Sequence, residues 1–304
     1  MSWFYFALLA ATLYSGAIVA DKLILTKYFG KVSELSLTTA AALSGIPLLI
    51  IFYLLVGKLP SLRLMMYGFV AGWLMLGAFQ LYYKALNRAD ASLITTLFQM
   101  ILPFNFIFGL WFFSESVTAL QVLGLIIISI SSVAISLEQK EKKWQLKSNV
   151  LLLMISASLL ASLSDVVFKL GSENESFLQL SLAEYSSTVV AGIIILLLSK
   201  KVRRELRGLG KQLRGTIGFL QMNELLNLFG TLAIRFAIIT GPIALVQGVM
   251  GAQPFIVLVI SLIAGAFGVK SLRVKHLTRK SLMIELTAMV AVCAGSVMIS
   301  GAIS

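Results

Sequence analysis

Cysteine and histidine each occur once, as Cys293 inside an apolar run and His276 inside a basic stretch. One cysteine excludes a disulfide within the chain. The lack of any Cys/His cluster argues against a zinc centre, a Cys-His pair or a Ser-His-Asp triad, which all need several such residues within reach. Acidic residues are scarce as well, 13 Asp and Glu against 25 Lys and Arg, for a formal net charge of +12. The three aspartates, Asp21, Asp90 and Asp165, form no paired motif, and neither HExxH nor GxSxG occurs, so no enzyme is expected. A GxxxxGK[ST] loop is also missing, so direct ATP drive is not expected, and neither is a cofactor or metal.

What the chain has in abundance is apolar length. Of 304 residues, 59% are hydrophobic and only 12% charged, with a mean hydropathy of +0.95, which places it among membrane proteins with the lipid bilayer as its surroundings. A hydrocarbon core about 30 Å thick takes roughly 20 residues of helix. On that ruler ten spans are expected, at 3–22, 35–56, 65–84, 91–113, 118–137, 149–170, 177–199, 215–239, 242–267 and 281–303. The first cations follow the first apolar run, so 3–22 reads as a retained span and not a cleaved signal.

Lysine and arginine gather in alternate connections, around 22–31, 84–88, 140–147, the basic loop 200–214, and 270–280. By the positive-inside rule these are cytoplasmic and both termini lie outside, as expected for a prokaryotic plasma membrane. The same placement makes the basic balance a topology signal, with no nucleic acid implied.

Two stretches share one layout. Lys84 to Pro103 and Arg235 to Pro254 both run from a basic residue to a proline, and 103 − 84 = 254 − 235 = 19. The offset between them is 254 − 103 = 151. The chain therefore divides into a first half, 1–140, and a second, 147–304. Five spans per half is an odd number, so the second copy crosses in the opposite sense.

The order of ALNRADAS, a mid-helix proline in QMILPF, Glu115 in SESVTALQVLG, and GPIALVQGVMGAQPF in the second half resembles the EamA-type branch of the drug/metabolite transporter superfamily. In the first span Tyr14-Ser15-Gly16 stands where that family commonly has Trp-Gly. The resemblance implies an all-α integral membrane protein of ten transmembrane helices in two inverted five-helix repeats. It also implies a central cavity lined by the first four helices of each half.

Charge inside a membrane is expensive, about 2.5–3.5 kcal/mol at the helix centre, and calls for a reason. Glu224, Asn227, Thr231 and Arg235 fall on one face of the eighth span, and the offset of 151 maps them onto Trp73, Leu76, Gln80 and Lys84. Glu224 is expected to hold a coupling proton or a substrate amine, with a structural carboxylate as the alternative. Asn227, Gln80 and Glu184 are candidate cavity linings, and Trp73 is either an aromatic wall for a cation or a lipid-facing residue.

Lys84 and Arg235 are expected at opposite mouths, as gates paired with Glu184 or Asp165, as anion contacts, or as snorkelling side chains. Asp165 and Lys169, at i and i+4, have the spacing to neutralise each other. Pro103 and Pro254 should break their helices and free carbonyls near Gln99 and Met250. Ala291 and Gly295 form a small-xxx-small pair that suits the fifth span or a second copy of the chain.

The function expected is secondary transport of a small polar metabolite, an amino acid or amine, by alternating access, with proton coupling in prospect. A carrier of phosphorylated or nucleotide-linked sugars or of a lipid headgroup is the alternative, and a membrane interaction protein is the non-transporting one.

Overall fold

The computed structural model describes residues 2–27, 32–115, 118–135, 137–140, 143–146, 148–173, 175–267 and 279–300. His276 and most of the basic connection 270–280 lie outside them. Thirteen helices and one short hairpin are described: α1 (Ser2–Lys27), α2 (Glu34–Ser44), α3 (Ile46–Val56), α4 (Leu62–Leu86), α5 (Ala91–Phe98), α6 (Ile101–Phe113), α7 (Ala119–Ile135), β1 (Leu137–Lys140), β2 (Lys143–Leu146), α8 (Ser148–Gly171), α9 (Phe177–Leu198), α10 (Lys200–Thr240), α11 (Ile243–Met250), α12 (Gln253–Ala266) and α13 (Arg279–Ser300).

Among the described residues, eight helical stretches are long and apolar enough to cross a membrane: α1, α2 with α3, α4, α5 with α6, α8, α9, the Ile217–Thr240 part of α10, and α11 with α12. The polarity is inverted relative to a soluble protein. Leu55 and Trp111 are 80% and 76% exposed while Arg235 is 0% exposed, an arrangement that water does not tolerate over a whole surface and lipid requires. The chain is a helical membrane-embedded protein. Helices α7 and α13, where the fifth and tenth spans were expected, lie against each other, and α13 also packs on α11.

One expectation needs correction. The stretch 200–214 is not a loop: it is the start of α10, a single helix of 41 residues, about 62 Å long at 1.5 Å per residue. Ser199 caps it by accepting from the Val202 amide, and no proline interrupts the run that follows. Where the first half gives way to the second, β1 and β2 pair antiparallel with Leu137 opposite Leu146.

Three of the spans are broken. The chain turns at Gly45 between α2 and α3, with Pro47 in the first turn of α3; at Gln99 and Met100 between α5 and α6; and at Gly251 and Ala252 between α11 and α12. A proline supplies no amide to the carbonyl four residues before it. That geometry places the second break just before Pro103 and the third just before Pro254.

The packing of α4 decides which way its side chains face. Helix α4 lies between α8 and α9, and at Gly68 and Gly72 the α9 backbone comes so close that an added Cβ would sit 2.7 Å from Glu184 N and 2.7 Å from Glu184 O respectively. Ser164 donates from α8 to the Ala71 carbonyl at 2.9 Å. The bare Gly68–Ala71–Gly72 face therefore points inward, and Trp73, off that face, is turned out at 50% exposure.

The ends of the bundle are tied by polar contacts. On the face carrying the basic connections, Glu205 of α10 accepts from the Ser33 amide at 2.8 Å, the Ser33 hydroxyl at 2.6 Å and the Ser36 hydroxyl at 2.7 Å, closing the N-terminus of α2. Burial raises the Glu205 carboxyl, but those three donors and Lys201 outweigh it and hold the group below the ordinary glutamate value. On the opposite face α6 ends at Ser114, whose φ of 50° is left-handed. That turn brings Glu115 back over Gly109, where it accepts from Lys169 at 3.2 Å and from the Ile243 amide at 3.0 Å. Lys169 also donates to the Gly241 carbonyl at 3.1 Å.

Gly68→Leu is expected to lower the melting temperature of the detergent-purified protein, by overpacking of about 1–3 kcal/mol. Gly208→Ala, where an added Cβ meets nothing within 4 Å, should leave it unchanged or raise it, since alanine gains up to about 1 kcal/mol in a helix. Equal melting shifts for the two variants would contradict the close α4–α9 contact.

Candidate functional site

Helix α10 carries its polar side chains on one face because Asn223, Glu224, Asn227, Thr231 and Arg235 recur at helical spacing, and that face is turned to the middle of the bundle. Two adjoining cavities lie there. The first, about 80 Å³, is bounded by Thr38, Ser181, Tyr185, Glu224 and Thr231, with Glu184 at its wall. The second, about 90 Å³, is bounded by Tyr14, Asp21, Gln99, Asp165 and Gln247. Met75, Phe79 and Asn227 line both and form the partition. Both volumes hold a few water molecules or one small group.

Arg235 stands beside these cavities and lines neither. Its NH1 donates to Asp165 Oδ1 at 2.5 Å and its Nε to Glu184 Oε2 at 3.0 Å; NH2 donates to Glu184 Oε1 and, at 2.6 Å, to the Ser164 hydroxyl. The guanidinium lies 4.7 Å over the Phe168 ring. Asp165 in turn accepts from Asn105 at 2.9 Å and Gln247 at 3.0 Å. One cation is thus shared by two carboxylates, and four of its five N–H donors are engaged.

Two further carboxylates at the cavities have no cation at all among the described residues. Asp21, 4% exposed, accepts from Asn223 Nδ2 at 2.8 Å, Tyr83 at 3.1 Å and Tyr82 at 3.4 Å. Glu224 accepts from the Tyr185 hydroxyl at 2.8 Å through Oε1. Among the described residues, no lysine, arginine or histidine lines either cavity. Counting Asp21, Asp165, Glu184 and Glu224 against Arg235 gives 1 − 4 = −3 with every group ionised. Adding Lys22, which donates to the Leu86 and Ala89 carbonyls at 2.6 and 2.7 Å, gives −2.

The residues singled out in the sequence divide as follows. Glu224, Asn227 and Glu184 line a cavity, and Glu184 spends its carboxylate on Arg235. Gln80 is set beside the first cavity, where it accepts from Thr38 at 2.7 Å. Trp73 does not take part: it meets Phe69, Val70, Leu74 and Leu160 at the outer surface.

Arg235 is neither a mouth residue nor a snorkelling one; it is interior and paired with Asp165 and Glu184. Lys84, half-buried, has no hydrogen-bond or charged partner among the described residues. Asp165 and Lys169 do not pair with each other, because each has a better-placed partner on another helix, Arg235 and Glu115. The breaks before Pro103 and Pro254 leave polar groups at the cavity: Ser158 donates to the freed Phe98 carbonyl at 3.2 Å, and Gln99 lines the second cavity.

Sequence reasoning missed Asp21, Tyr82, Tyr83 and Asn223 as a cluster. The available signal was an aspartate at the end of an apolar run, which the neighbouring Lys22 made look like the span's boundary.

Arg235→Ala is expected to destabilise the protein by about 3–5 kcal/mol, since it strands two buried carboxylates. Adding Glu184→Gln should recover part of that loss, and Arg235→Lys should fall between, keeping the charge without the forked geometry. Thermal melts of the purified variants check this, and an Arg235→Ala protein as stable as the parent would refute it.

Neither a family model nor a curated protein matches the chain. Solved structures do: one of them, a crystal structure of a protein of unstated function, superposes with a TM-score of 0.62 at 13% identity, over 99% of this chain and 97% of that one. At that identity the likeness is one of fold, and it extends over essentially the whole chain.

Proposed function

We propose that the chain is a secondary transporter that moves a small organic amine across the plasma membrane by alternating access. The observation that carries this reading is the charge of the central cavities. They contain two carboxylates without a cation, Asp21 and Glu224, while the buried arginine beside them is closed off by Asp165 and Glu184. A buried carboxylate without a partner is costly, and a protonated amine or a proton relieves that cost. Exchange of amine for proton at Glu224 is the coupling that follows.

The same charge distribution narrows the substrate. An amino acid needs a cation for its carboxylate, and among the described residues no basic side chain lines the cavities. A phosphorylated or nucleotide-linked sugar needs two or more, and of the pair Lys84 and Arg235 only Lys84 lacks a partner among the described residues. The amine is therefore favoured over both.

The architecture we propose is the EamA-type one: ten transmembrane helices in two inverted five-helix repeats, with α7 and α13 as the fifth and tenth and both termini outside. Lining residues come from α1, α2, α4, α5, α6, α8, α9, α10, α11 and α12, and none from α7 or α13, which fits a cavity built from the first four spans of each half. The Glu115–Lys169 pair, bound to both sides of the α10–α11 turn, then acts as the closed gate of one face.

In proteoliposomes, uptake of a radiolabelled alkylamine against an outward proton gradient is expected to saturate, and Glu224→Gln should reduce it at least about tenfold, the effect of losing one hydrogen-bonded charge. Uptake unaltered by Glu224→Gln, or no uptake of any amine, would refute the reading.

A further inference from the structure

The two carboxylates that lack a cation lie in different chambers. Glu224 lines the first and Asp21 the second, with Met75, Phe79 and Asn227 between them. They are nevertheless close. Asn223, which donates to Asp21 at 2.8 Å, is the residue before Glu224 on α10. Tyr83, which donates to Asp21 at 3.1 Å, also lines the chamber of Glu224. Two acidic ends separated by a largely apolar waist is the complement of a molecule with two positive ends and a short methylene chain.

The unsatisfied atoms point the same way. Among the described residues, the buried side-chain polar atoms left without a partner are all oxygens: Gln99 Oε1, Ser181 Oγ, Asn223 Oδ1 and Ser261 Oγ. Gln99 lines the Asp21 chamber, Ser181 lines the Glu224 chamber, and Asn223 touches Asp21. Gln99 is 1% and Ser181 3% exposed, so bulk water does not serve them. Each amide's nitrogen is already committed, Gln99 Nε2 to the Thr95 carbonyl and Asn223 Nδ2 to Asp21. That leaves the two amide oxygens as acceptors with nothing to accept, while the Ser181 and Ser261 hydroxyls can both give and receive a hydrogen bond. An ammonium brings three donors and no acceptor, and each chamber holds a carboxylate plus at least one such oxygen to receive them. Asp21 Oδ2, whose one bond from Tyr82 is 3.4 Å long, and Glu224 Oε2, which is bonded to nothing described, have room for them.

We propose that the two chambers are two subsites of one site, and that the substrate is a short linear diamine, with one ammonium on Glu224 and Ser181 and the other on Asp21 and Gln99. This rests on the amine reading above and specifies it. The methylene chain passes Met75 and Phe79, whose apolar surfaces favour it over a polar linker, alongside Asn227, which lines both chambers. A single ammonium satisfies one chamber and leaves the other acidic.

Titration calorimetry of the purified full-length protein with putrescine and cadaverine, against n-butylamine and n-pentylamine, separates the two levels of the proposal. Each diamine is expected to bind at least about tenfold more tightly than the monoamine of equal chain length, the factor that one more charged hydrogen-bonded contact provides. In Asp21→Asn the diamines should lose their advantage over the monoamines of equal chain length, and a diamine advantage that survives the substitution would overturn the second subsite. If the unaltered protein binds monoamines and diamines equally, the two-subsite proposal falls and the amine reading stands. If it binds neither, both fall. The comparison on the unaltered protein decides even where Asp21→Asn does not fold.

Discussion

The interior of this protein depends on Arg235. Fully buried on α10, it holds Asp165 of α8 and Glu184 of α9 together, and through Asp165 it reaches Asn105 on α6 and Gln247 on α11. Five helices meet at one guanidinium, in surroundings where a charge left alone is expensive and a paired one holds its neighbours firmly. The chemical consequence is as large as the structural one. With its cation shared by two carboxylates, the cavities are lined, among the described residues, by no basic side chain and by two carboxylates without a cation, Asp21 and Glu224.

The broken helices and the contacts at the bundle ends give this centre its surroundings. Breaks before Pro103 and Pro254 place Gln99, Gln247 and Gln253 at the second chamber, where a continuous apolar helix would offer only side chains. At one end, Ser114 adopts a left-handed turn, unusual for a residue other than glycine, and so delivers Glu115 to Lys169 and to the start of α11. At the other, Glu205 holds the start of α2. Each tie is a small set of polar contacts near the tip of a helix, separate from the Arg235 cluster in the core.

Much of the fold was legible in the sequence, because span length and apolar content follow directly from the thickness of a bilayer. Glu224 and Asn227 were legible as cavity residues, since helical spacing identifies which side chains share a face. Trp73 was not, for a specific reason. The offset of 151 that pairs it with Glu224 also pairs Gly68 and Gly72 with Phe219 and Asn223. The face that α4 leaves bare for α9 is thus filled in α10, and the two helices turn different sides to the centre. Periodicity gives a face; only the neighbour's shape says where it points.

The charged residues show the same limit. Asp165 and Lys169 have the spacing of a local pair, yet each found a partner on another helix, and Arg235 looked like an end residue while its partners lay at depth. The cations of 200–214 suggested a loop, but a capped run without proline continues into the membrane span as one helix. Asp21 was hidden by its neighbour: Lys22 turns to the carbonyls of Leu86 and Ala89 and leaves the aspartate facing a cavity.

The claim that Arg235 is spent internally, and that the cavity therefore receives cations, is tested most directly by an experimental structure of the protein with an amine bound. Ligand nitrogen is expected within hydrogen-bond distance of Glu224, with Arg235 still on Asp165 and Glu184. A ligand anion on Arg235, with either carboxylate displaced from it, would contradict the account.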